Sequence, residues 1–157
     1  MLVFLFTAAS LGHAKSATPY GPKSKRIGAG LYFGEPIGVT VKGYLTKQWA
    51  LNGIASWSFV EDAFTLIGDA TYDLFDLPEN SANFSLPFYA GVGAKLGFGE
   101  KGANNNKTIF AVHIPVGLAM QFTKQPIEIS LELAPGVQMT PKTAFDLTGG
   151  LAARFYF

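Results

Sequence analysis

The polar residues whose spacing could support chemistry are Lys42, Asp69, Asp73, Lys95, His113, Gln121, Glu128, Glu132 and Arg154. Three of them are tied together by short links. Counting across "TPKT" places Glu128 opposite Arg154, and counting across "TKQP" places Gln121 beside Glu128. A carboxylate held between a guanidinium and an amide is a charge-assisted, directional arrangement. In a dry interior either charge would be expensive without the other. Lys42, Asp69, Asp73 and Glu132 fall at similar or slightly higher levels and extend the row into a charge network. His113 falls across from Lys95 by the same counting. As a catalytic base it would need a serine nucleophile within reach and an acid to orient it. "VHIPVG" has proline where such a serine could sit, and no His-x-Ser arrangement occurs. One histidine with no acid cluster nearby is also a weak metal site. The expectation is therefore no catalytic residue, no metal and no cofactor.

The elements that must position these residues alternate with period two. From Ile27 onward, eight runs place large apolar side chains at every second residue. They are 27–34, about 38–46, 49–59, 63–75, 84–99, 108–123, 127–138 and 145–157. The links between them ("GEPI", "TKQ", "VED", "DLPENSAN", "EKGANNNK", "TKQP", "TPKT") are short and turn-like. Short links make consecutive strands antiparallel neighbours, an up-and-down meander. Pro87, Pro115 and Pro135 lie inside runs, where proline cannot donate to a ladder.

One face of each run is large, apolar and uncharged, for example Leu31, Leu51, Leu66, Val112 and Leu131. The other is small and polar, with charges of both signs. A soluble barrel would turn the charged face outward. Here that face suits a crowded lumen, and the apolar face suits lipid. Aromatic residues sort by strand end. Phe33, Trp57, Phe59, Phe64, Phe98, Phe110 and Phe145 mark one end, called upper below. Trp49, Tyr72, Phe84, Phe88, Phe122, Phe155 and Phe157 mark the other. Two aromatic belts around an aliphatic band match a bilayer with two interfaces. The expected fold is all-β, an eight-stranded antiparallel up-and-down transmembrane β-barrel.

Composition agrees. Charged residues make up 15% of the 157-residue chain, against about 25% in ordinary soluble domains. The net charge of +1 gives no electrostatic case for nucleic acid, and the absence of cysteine excludes disulfides and thiolate metal sites. The apolar start "MLVFLFTAASLGHA" reads as a signal peptide (1–14) cleaved after Ala14, although the usual positive n-region is missing. A polar lead-in (15–26) and the barrel domain (27–157) follow.

The closing stretch "FDLTGGLAARFYF" puts apolar residues at alternate positions before a terminal aromatic. Its Phe155, Tyr156 and Phe157 resemble the C-terminal signal read by the barrel-assembly machinery of the bacterial outer membrane. The whole is similar to small eight-stranded outer-membrane barrels of the OmpA transmembrane-domain and OmpX type. The wording from Ala111 to Phe157 also resembles a broad group of largely uncharacterised outer-membrane barrels. The resemblance implies a bacterial outer-membrane location, outer-membrane lipid as surroundings, and the assembly machinery as a partner during biogenesis. It specifies no surface partner and no activity. The function expected is a non-enzymatic barrel with a side-chain-filled lumen and a structural or surface-interaction role. The alternatives are a narrow cation-preferring pore, a lipid-modifying barrel enzyme, and a soluble lipocalin-like binder of apolar ligands.

Overall fold

The computed structural model describes residues 21–34, 36–59, 63–77, 83–99 and 107–157, with the side chain of residue 107 left aside. The expected signal peptide lies outside the described residues, as does 15–20 of the lead-in. The strands are β1 (Ile27–Gly34), β2 (Ile37–Tyr44), β3 (Trp49–Ser58), β4 (Ala63–Asp76), β5 (Phe84–Ser85), β6 (Pro87–Gly99), β7 (Lys107–His113), β8 (Val116–Phe122), β9 (Ile127–Thr140) and β10 (Ala144–Tyr156). β5 with β6, and β7 with β8, each form one broken stave, so the ten segments make a closed eight-stranded antiparallel barrel with up-and-down connections. Closure is made by β10 on β1, from Gly28 opposite Tyr156 to Gly34 opposite Gly150.

The breaks have a chemical cause. Proline has no N–H to give a neighbour, so the ladder lapses beside Pro87 and Pro115. β6 accordingly pairs with β8 at Phe88–Ala90 and with β7 from Gly93 onward. The gap is partly bridged by Gly91 N–H donating to Pro115 O (2.9 Å) and Ile114 N–H donating to Pro135 O (2.9 Å). Pro135 stays within β9 at the level of that gap. A bulge between Asp73 and Phe75 turns both Leu74 and Phe75 outward, and Phe75 then stacks on Phe88 at 5.2 Å. A second irregularity falls between Phe110 and Ala111.

The two faces separate as the alternation predicts. Outward side chains are large and apolar: Leu31 is 52% exposed, Val41 51%, Leu131 54% and Leu147 59%. Trp49 lies edge-on to Tyr72 at the lower end (5.1 Å), and Trp57 meets Phe64 at the upper end (6.3 Å). Inward side chains are buried and mostly polar, with a small apolar group of Tyr32, Ile54, Ile67 and Ala152 among them. Glycines admit the tyrosines: a Cβ at Gly28 would meet Tyr156 at 2.6 Å, and one at Gly117 would meet Tyr89 at 2.5 Å.

The lead-in does not trail away from the barrel over its described part. Pro22–Ser24 form a single 3₁₀ turn, Gly21 sits against the Tyr44 and Tyr156 rings, and Arg26 O accepts from Tyr44 N–H at 2.8 Å. Gly21 has φ 102°, a left-handed conformation natural to glycine.

Candidate functional site

The filled lumen is the candidate site, and Arg154 on β10 organises its lower half. Its Nη1 donates to Glu128 Oε1 (2.9 Å) and Ser130 Oγ (2.9 Å). Its Nη2 donates to Thr40 Oγ1 (3.0 Å) and Asn52 Oδ1 (3.0 Å), and its Nε to Thr40 Oγ1 (3.1 Å). A guanidinium has five N–H groups in a planar fork, and these five contacts use them all. Glu128 is equally engaged. Its Oε2 accepts from Gln121 Nε2 (2.9 Å) and the Tyr156 hydroxyl (3.0 Å), with Lys42 Nζ at 3.5 Å. Lys42 also lies 4.9 Å from the centres of the Tyr44 and Tyr89 rings, where the ring faces attract a cation.

Two chains of contacts leave this centre. One runs from Gln121 Nε2 to the Tyr44 hydroxyl (2.8 Å), which donates to Asp73 Oδ2 (3.1 Å). The other runs from Asn52 Nδ2 to Asp69 Oδ2 (3.4 Å), and Asp69 Oδ1 meets His113 Nε2 at 2.6 Å. Glu132 is held apart from both by the Tyr89 hydroxyl, which donates to it at 2.7 Å. Lys95 belongs to a separate upper group, bonded to Asp146 and to Thr148 Oγ1 (3.1 Å). Above that group the described residues leave a cup of about 360 Å³, walled by Ser58, Thr65 and Ile109 among others. Asp73 Oδ1, Ser85 Oγ and His113 Nδ1 are buried polar atoms with no protein partner among the described residues.

The row Gln121, Glu128, Arg154 stands as expected, with Gln121 opposite Glu128 and Glu128 opposite Arg154. Lys42, Asp69 and Asp73 do join it, directly or through Tyr44 and Asn52. Two expectations need correction. His113 stands opposite Gly93, not Lys95, whose partner on β7 is Ala111. Asp69 on β4 is also opposite Gly93, so the bare glycine lets acid and imidazole meet across it. A Cβ at Gly93 would lie 1.9 Å from Asp69 Oδ1 and 2.7 Å from His113 Nε2. The histidine therefore does have an acid beside it. Lys95, in turn, lies outside the lower network. Of the closing aromatics, Phe155 and Phe157 face outward, while Tyr156 is fully buried and belongs to the lumen.

Counting register missed Thr40, Tyr44, Asn52, Tyr89 and Ser130 as members of the network, although all lie on the inward face by their parity. A hydroxyl or amide on the charged face was the signal.

As chemistry, the arrangement satisfies charge. Each cation in it has its acid or acceptors, and the described residues of the lower lumen bring no serine to His113. No family model matches this chain, and neither does any curated protein or solved structure.

Proposed function

We propose that this chain is a small non-enzymatic barrel of the bacterial outer membrane, with its lumen plugged by side chains and a structural or surface-interaction role. One observation carries the reading: the barrel is inside out by the standards of a soluble protein. The wall between the aromatic belts bears exposed Leu, Val and Ile and no exposed charged side chain among the described residues, whereas Lys42, Asp69, Glu128 and Arg154 are buried within. In water so large an apolar wall would be a liability. In a bilayer it is the solvated surface. The architecture is compatible with the OmpA-type and OmpX-type barrels that the sequence resembles.

The test is electrophoretic mobility of detergent-folded protein in SDS, with and without boiling, followed by flotation with lipid vesicles. A boiling-dependent shift and co-flotation are expected. A protein that stays soluble in plain buffer and never floats would overturn the reading.

A narrow pore is the second reading. It is favoured by the inward acids Asp69, Asp73, Glu128, Glu132 and Asp146, which outnumber Lys42, Lys95 and Arg154 and would prefer cations.

A further inference from the structure

We propose that an arc of basic residues along one half of the lower rim docks the headgroups of anionic phospholipids such as phosphatidylglycerol. The proposal rests on the membrane reading above. Lys23, Lys25 and Arg26 lie in the segment leading into β1, Lys47 in the β2–β3 turn, and Lys124 in the β8–β9 turn. All but the half-buried Lys25 are exposed.

These three places are neighbours around the barrel, because the staves run in the order β8, β9, β10, β1, β2, β3. Backbone bonds hold them together: Tyr44 N–H donates to Arg26 O (2.8 Å), and Tyr156 N–H donates to Pro126 O (2.7 Å). The lead-in turn also packs against β8. Among the described residues the arc contains no acidic side chain. The rim acid Asp76 stands on β4, outside the arc.

Depth completes the case. On the same staves, exposed Trp49, Phe155 and Phe157 mark the lower aromatic belt. Aromatic belts sit at headgroup level, so ammonium groups just beyond them reach phosphate oxygens. A zwitterionic headgroup offers a phosphate with its charge already cancelled. An anionic one leaves it unbalanced and is drawn to a cluster of cations.

The full chain is folded into nanodiscs of phosphatidylcholine with added phosphatidylglycerol, released into mild detergent, and its retained lipid is counted by native mass spectrometry. Retention of phosphatidylglycerol over phosphatidylcholine by on the order of tenfold is expected. That preference should vanish in the triple variant Lys23→Gln/Lys47→Gln/Lys124→Gln and fade at high salt. It should persist in Lys142→Gln, at the opposite end. The SDS mobility shift, unchanged in the triple variant, establishes that it still folds. Equal retention of both lipids, or a preference untouched by the triple variant, would overturn the proposal while leaving the membrane reading intact. So would binding to peptidoglycan that needs the same lysines without any lipid preference. A chain that enters no bilayer would sink both.

Discussion

With all five N–H groups of Arg154 committed, its removal strands acceptors on three staves, β2, β3 and β9, and leaves Glu128 with Lys42 as its charge partner. Arg154→Met is expected to destabilise the folded barrel by about 3 kcal/mol, the cost of breaking a buried ion pair from one side. Urea titration in lipid, read by the fluorescence of Trp49 and Trp57, measures it. Lys42→Met should cost less, since Lys42 stands 3.5 Å from Glu128 and Arg154 remains to pair the acid. Gly93→Ala should cost roughly 1–3 kcal/mol by overpacking. Its methyl would fall on the Asp69–His113 contact, so the ring signals of His113 should move with it. A Gly93→Ala variant with unchanged stability and unchanged His113 signals would refute this placement. The row around Arg154 was legible in sequence because two short turns fix its register. The partner of His113 was not, because the seven residues that link β6 to β7 (100–106) do not fix the register as the tight turns on either side of β9 do. A slip of two residues keeps a side chain on its face and changes only its neighbour.

At the scale of the strand, period two predicts nearly everything: eight staves, their boundaries to within a residue or two, and which face looks inward. Sequence also points to the prolines as weak points, but not to which ladder bonds survive beside them. Those depend on neighbouring strands, as when Gly91 N–H finds Pro115 O in place of a regular partner. The faces can be tested directly. Leu131 lies mid-wall on β9, opposite Leu118 and Leu151, and is 54% exposed. Leu131→Arg should cost about 2–4 kcal/mol in a bilayer, where lipid cannot hydrate the guanidinium. The same change on a wall facing water would be close to neutral. Unfolding in lipid vesicles by denaturant separates the two outcomes.

For the molecule as a whole, the plugged lumen predicts silence. Planar-bilayer recordings of the wild-type chain should show no discrete conductance steps, whereas small cation-selective steps would favour the pore reading. The network carries a further consequence. Arg154 joins Thr40 and Asn52 over sequence separations of 114 and 102, and Gln121 joins Tyr44 over 77. None of these bonds can form until the first and last staves have met. The Arg154–Glu128 pair can form between the adjacent β9 and β10, but the rest of the guanidinium's bonds, to Thr40 and Asn52, come only with closure. From β10 this guanidinium reaches past β1 to β2 and β3, so it spans the line along which the cylinder closes. The last step of assembly should therefore also be the one that locks it.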